Sequence, residues 1–244
     1  MAKQTGLGDG LLIGGHDLSG DIGAIGNVHG GPAAQDVTGI DKYGFERIGG
    51  LFDASLEYSV WFNDGASRSH EILSVLPNTS AVCTYLRGRA LGGQGAGLVA
   101  KRVDYPWKRG NDGALSIDVA AQAADGTGLE WGEQLTPGIR SDTAATDGAA
   151  LDYGETVGAT TFGLAAYLHL LAFTGTTVTV TVQHSPDGTT WTDLATFAAA
   201  SAAGAQRVSV TGTADRHLRV TTTGTFTSAQ FAVVAAKRLA APAW

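Results

Sequence analysis

The residues able to do chemistry in this chain are scattered carboxylates, six histidines and one cysteine. Glu130 and Glu133 flank Trp131, and Asp104 and Asp112 flank the basic stretch YPWKRGN. Glycoside hydrolysis needs two carboxyls held across a cleft, so Glu130 and Glu133 define the enzyme reading. Aromatic residues make up only 8% of the chain, and no loop is rich enough in Trp and Tyr to line a sugar cleft. A solvated strand face accounts for the pair better. His16, His29, His70, His169, His184 and His217 are all more than five residues apart, and none is near Cys83. Zinc-ligand spacing is therefore absent. His70 reads as a surface or partner contact. His169 alternates with Leu168 and Leu170 and is expected to point off a strand into solvent. GLGDG and LGGQGAG do not match the phosphate-cradling G-x-x-x-x-G-K-[ST], and no helix follows the second to receive an anion. No G-x-S-x-G elbow places a serine nucleophile. No catalytic residue, metal or cofactor is expected. Tyr105, Trp107, Lys108 and Arg109 could stack on a base or a glycan. In an acidic region, a turn that packs its aromatics on a neighbour suits them better.

Period-2 alternation dominates the elements around these residues. SLEYSVWF sets Leu56, Tyr58, Val60 and Phe62 against Glu57, Ser59 and Trp61; ALSIDVAAQ and TVTVTVQ behave alike. Such patterns mark half-buried strands. Further strands are expected near 10–14, 22–26, 34–39, 80–87, 97–104 and 129–136. SRSHEILSVLP breaks the pattern, with Ile72, Leu73 and Leu76 at helical spacing, Ser67 as a cap and Pro77 as a stop. One short helix is thus expected near 67–76. From 141 to 160 periodicity disappears, as in a linker. Strands resume near 162–173, 176–184, 190–197, 206–211, 216–223 and 228–237. The expectation is an all-β chain with one short helix: a β-sandwich or barrel domain over 1–150, then an Ig-like or jelly-roll-like β-sandwich over 155–244.

The 244 residues suffice for one large or two modest cores. No apolar run reaches membrane-span length, MAKQTGLGDG does not resemble a signal peptide, and a single cysteine excludes an intrachain disulfide. Residues 1–153 carry 19 Asp and Glu against 11 Lys and Arg; residues 154–244 carry 4 against 5. The acidity of the first part argues against nucleic-acid binding.

Two surface segments stand out. Gly26 to Gly50 reads as a long loop mixing Gly, Pro, Asp41, Lys42, Glu46 and Arg47 with the aromatics Tyr43 and Phe45. Long ordered loops in compact β domains usually carry function; with no chemistry present, contact with another subunit is the function expected. QHSPDGTTWTDLATF reads as a hairpin turning at Asp187 and Gly188, with Trp191 just beyond. His184, Asp187 and Trp191 are the residues to test for glycan contact, although a tryptophan there more often packs on its own sandwich.

LSGDIGAIGNVHGGPAAQDVTGIDKYGFERIGGLFDASLEYSVWFN, followed by HEILSVLP, GNDGALSIDVAAQA and GLEWGEQLTPGIR, resembles the major tail (tail tube) proteins of long-tailed phages of actinobacteria. The likeness continues through FGLAAYLHLLAFTG, the D-G-x-x-W hairpin and FAVVAAKR. It implies a structural virion protein, made and assembled in the host cytoplasm, whose six-membered rings stack into a tube. The implied partners are further copies of the chain, the tape-measure protein, and the tail terminator and initiator proteins. DNA passes through the lumen without specific binding. Asp41, Lys42, Tyr43, Phe45, Glu46 and Arg47 are then expected between rings, and Glu57, Asp118 and Glu130 at the lumen. The alternatives are an adhesin binding host cell-surface glycans and a capsid decoration protein.

Overall fold

The computed structural model describes residues 5–75, 80–102 and 104–240. The chain is nearly all β, with 58% strand and 4% helix. In chain order the elements are β1 (Gly10–Ile13), β2 (His16–Asp17), β3 (Ile22–Asp36), β4 (Arg47–Trp61), α1 (Ser69–Ser74), β5 (Ala81–Leu86), β6 (Gln94–Arg102), β7 (Trp107–Arg109), β8 (Leu115–Ala123), β9 (Glu130–Gln134), β10 (Arg140–Asp142), β11 (Leu151–Asp152), α2 (Gly154–Val157), β12 (Leu164–Ser185), β13 (Thr192–Thr196), β14 (Gly204–Val210) and β15 (His217–Lys237). Two compact units emerge. One joins residues 1–20, 81–97 and 131–244; the other joins 21–80 and 98–130. The expected cut at 150–155 is not where the units divide.

The first unit is built on β12 and β15, which pair antiparallel from Leu164 opposite Lys237 to Ser185 opposite His217. Register shifts between Leu170 and Thr177 bend the pair. Gly175 and Gly224 make the bend possible. A Cβ on Gly224, at φ 117°, would come within 2.4 Å of the Thr177 carbonyl oxygen, and one on Gly175 within 2.5 Å of the Phe226 Cα. Before the bend β12 also pairs with β14, and after it with β13. The two halves fold over one core. Leu164, Ala166, Leu168 and Leu170 join Val178, Val180, Val182, Leu218, Val220, Phe231 and Val233 in a single cluster.

The other face of β12 is covered too. A Cβ on Gly97 would lie 2.3 Å from the Tyr167 ring. Leu12, Leu86, Ala232 and Val234 cluster there, with Leu171 packed against them. Burial on both faces explains why FGLAAYLHLLAF is a continuous apolar run. It also corrects the expectation for His169, which is 1% exposed rather than directed at solvent.

The stretch 141–160 is not a linker. β10 pairs with β15 at Ala229 to Phe231, Asp147 bridges Thr221, and β11 pairs with His217 and Leu218. Arg140 anchors the segment. Its Nε and Nη2 donate to the two Asp142 carboxylate oxygens at 2.8 and 2.7 Å, and its Nη1 donates to the Val220 carbonyl at 2.7 Å. Thr222 Oγ1 donates to Asp142 at 2.7 Å, so this buried ion pair is satisfied from several sides. Small and polar residues carry no period here because pairing and side-chain bonds, not an apolar face, fix the chain.

The second unit holds β3, β4, β7, β8, the end of β6 and α1. β3 and β4 pair from Ile22 opposite Val60 to Asp36 opposite Arg47, and β8 pairs with β4 only over Ser55 to Trp61. Leu56, Tyr58, Val60, Leu73, Leu98, Ile117 and Val119 are buried. The helix α1 lies where expected, but Ser67 does not cap it. Ser67 has φ 58° and its N–H donates to Glu71, while Arg68 occupies the cap position without a side-chain bond. The Ser69 N–H at the helix start donates to Asp21 at 3.1 Å. Leu76 and Pro77 lie outside the described residues. A second short helix, α2, was not expected.

Candidate functional site: the β3–β4 ribbon

Most of the expected long loop is strand. β3 runs to Asp36 and β4 begins at Arg47, leaving only 37–46 as the turn. The inner half of this hairpin lies beside β8; its outer half, 31–36 with 47–53, pairs only with itself among the described residues.

Side-chain placement in the outer half follows from its register. Ala34 opposes Gly49 and Pro32 opposes Phe52, so Gly50 and Leu51 share Ala33 as one partner. This bulge interrupts alternation. A Cβ on Gly49 would contact Pro32, and one on Gly50 the Gln35 side chain. Gly49 and Phe52 therefore share the face that continues inward to Ala54, Leu56 and Tyr58. Ile48 and Leu51 share the opposite face, with Glu57 and Trp61. Leu51 is 86% exposed and Ile48 52%.

The turn holds itself together. The Val37 N–H donates to the Glu46 carbonyl at 2.9 Å, the Glu46 N–H donates to Thr38 Oγ1 at 2.9 Å, and Asp36 accepts from the Thr38 N–H at 2.9 Å. Thr38 donates to Asp36 through both N–H and hydroxyl and lowers its pKa. Lys42 pairs with Glu46 at 3.4 Å, and the Arg47 guanidinium stacks 4.8 Å from the Phe45 ring centroid. These bonds present Ile40 and Tyr43 fully to solvent and leave Phe45 73% exposed. Asp41, Lys42, Tyr43, Phe45, Glu46 and Arg47 are thus brought together at one tip. Sequence reasoning missed Ile40, Ile48 and Leu51. Their signal was available as a dense run of apolar residues with neither a strand nor a helix period.

The other expected sites separate. Glu57 and Asp118 lie on one face of the β4–β8 pair, where Ser59 opposes Asp118. They share a shallow groove of about 430 Å³ with Asp104 and Pro106. Asp118 pairs with Lys108 and accepts from Ser59 Oγ at 2.6 Å; these bonds, Lys108 foremost, hold its carboxyl below the usual range. Glu130 stands apart at the start of β9. Glu130 and Glu133 are three residues apart on this strand and so point to opposite faces. Burial raises the pKa of Glu133.

In the hairpin, Asp187 accepts from the Thr189 and Thr190 N–H groups at 2.8 Å each, which hold its carboxyl well below the usual range. His184 Nδ1 lies 2.8 Å from Asp215, and Arg219 stacks 4.4 Å from the Trp191 ring. All three residues are engaged within their own unit.

No protein-family model and no curated protein matches the chain. Among solved structures it is similar to a chain in the virion of a native gene transfer agent particle, with 17% identity over 53% of this chain and 98% of that one, at a TM-score of 0.41. It is similar to the SPP1 Dit protein, described as a hub adsorption apparatus protein of phages infecting Gram-positive hosts, with 12% identity over 95% and 99% of the two chains and a TM-score of 0.34. A chain of the phage p2 baseplate gives 10% identity, 94% and 98% coverage and a TM-score of 0.33.

The YPWKRG segment folds as expected onto a neighbour. Trp107 lies 4.9 Å from Phe62 and 5.3 Å from His70 between ring centroids, and His70 Nδ1 is 3.1 Å from the Tyr105 hydroxyl. Among the described residues no group of three His, Cys, Asp or Glu is placed to hold a metal ion, and no helix is long and apolar enough to cross a membrane.

Proposed function

We propose that this chain is a structural protein of a phage tail, a protomer that assembles with copies of itself into six-membered rings stacked as a tail tube. The observation that carries the proposal is the outer half of the β3–β4 ribbon. Ile40, Tyr43, Phe45, Ile48 and Leu51 are large apolar side chains left in solvent within a short stretch. Monomeric proteins rarely leave a contiguous apolar patch of more than a few hundred Å² uncovered. An aromatic side chain buries roughly 150–250 Å², so this set approaches the ~800 Å² that one partner contributes to a stable interface. The ribbon edges beyond β8 also carry backbone groups that a neighbouring strand would pair. The order of resembling segments along the sequence supports the tail assignment.

In this reading the ribbon tip, Asp41 to Arg47, makes contacts between rings, and Glu57 and Asp118 belong to a surface that lets DNA pass, where the one cation beside them, Lys108, is held by Asp118. The tape-measure, terminator and initiator proteins are its partners in the virion. Negative-stain electron microscopy of the purified full chain tests the proposal. Rings or tubes are expected. Monodisperse monomers at high concentration would overturn self-assembly. Asp41→Lys or Arg47→Glu is expected to shorten the tubes without unfolding the monomer; tubes of normal length would remove the tip from the stacking contact.

A further inference from the structure

The imidazole of His169 sits where three elements of the first unit meet. The Gly15 N–H, in the turn between β1 and β2, donates to Nδ1 at 3.3 Å. Nε2 lies 2.8 Å from Thr84 Oγ1 on β5. Because Nδ1 is the acceptor, the proton of the neutral ring is on Nε2 and is donated to Thr84. Along β12 the neighbours of His169 across the sheet are Ala205 of β14 and Ala232 of β15, which offer it no charge. The charged and titratable groups that act on it come from β2: His16, and Asp17, which pairs with Arg89 at 3.1 Å.

We propose that His169 is an acid-sensitive latch that fastens the β1–β2 hairpin to β12. A second proton on the ring must go to Nδ1. That turns an acceptor into a donor aimed at the Gly15 N–H, at a ring buried from solvent. Asp17 is already engaged by Arg89, and His16 disfavours a charge on the ring. The ring ties the Gly15 turn to β12 beside the packing of Leu12 on Ala232 and Val234 and the pairing of β1 with β5, so its release loosens the hairpin from the turn end. Burial, with His16 adding to it and Asp17 opposing, holds the His169 pKa at about 3 against an ordinary 6.5. The folded state therefore disfavours the proton. The stability that the neutral ring contributes is complete above pH 6.5 and is lost progressively as pH falls from 6.5 towards 3. The latch is a property of one chain and does not depend on assembly.

The test compares wild type with His169→Gln, whose amide can donate to Thr84 and accept from Gly15. Denaturant unfolding at pH 7 and pH 5 is expected to show wild type losing about 25-fold more of its folding equilibrium constant than the variant, the factor for going from 0.5 pH units above the ordinary value to 1.5 below it. Amide exchange over residues 10–18, scaled for the chemical rate at each pH, is expected to accelerate at pH 5 in wild type only. An equal acid loss in both proteins, or unchanged protection of residues 10–18, would overturn the latch. Should the variant not fold, the imidazole resonances of wild type decide. A His169 signal that titrates near 6.5 with the fold intact would also overturn it.

Discussion

β12 and β15, of 22 and 21 residues, and β3 and β4, of 15 each, are both long antiparallel pairs with register shifts along their lengths. The first pair is folded at Gly175 and Gly224 so that one face encloses a core, and half of it is covered on the other face as well. The second pair reaches past its own unit's cover at about Ala54 and carries apolar side chains into solvent. Antiparallel pairing joins the two strands in both. What differs is whether the side chains are covered within the chain. The difference predicts that changes in the first pair and its supports are read in stability, and changes in the outer ribbon in association.

The largest expected effect is at the support of β15. Asp142→Ala leaves the Arg140 guanidinium buried without its carboxylate and should cost about 3–5 kcal/mol, seen as a lower denaturant midpoint with the slope kept. A loss under about 1 kcal/mol would mean that 141–160 is only loosely attached, as a linker would be. Next comes the bend. Gly224→Ala places a Cβ against the Thr177 carbonyl and should destabilise by about 1–3 kcal/mol; an unchanged thermal midpoint would show that the corner tolerates a side chain. Leu51→Ser and Ile48→Ser reverse the pattern. Monomer stability should stay within about 0.5 kcal/mol, while sedimentation or light scattering shows assembly shifted to higher protein concentration. Loss of monomer stability instead would place the outer ribbon in the same class as β12 and β15. The smallest effect is at Lys108→Ala. The Asp118 carboxyl should titrate closer to its ordinary value by NMR, since Lys108 is the main cause of its depression. The melting temperature should not move measurably, because both side chains are well exposed.

Several of these features were legible in the sequence. Alternation at Leu56, Tyr58 and Val60, and at Val178, Val180 and Val182, marked strands with one buried face, and all six residues are buried. The helix at Ile72 and Leu73 was legible for the same reason, a clear period. Three features were not. His169 lies in a strand buried on both faces, where alternation loses its meaning and Leu168 and Leu170 say nothing about the residue between them. The segment 141–160 is fixed by Arg140 and Asp142 bonding to Val220 and Thr222, residues about 80 apart in the chain, and such contacts leave no local pattern. The outer ribbon has no core face, so Gly26 to Gly50 shows no period and reads as a loop. The apolar flank at Ile48 and Leu51 depends on a bulge that only the register reveals.

The bend at Gly175 and Gly224 has a mechanical consequence. In many sandwiches the two layers are separate sheets, and a sideways force parts them once the apolar contacts between them give way. Here β12 and β15 each continue from one layer into the other through the corner. Sliding the layers apart would pull on covalent backbone, in two strands at once, before the core could open. The unit has no plane along which it can be cleaved at that end, and tension along either strand is shared by both layers.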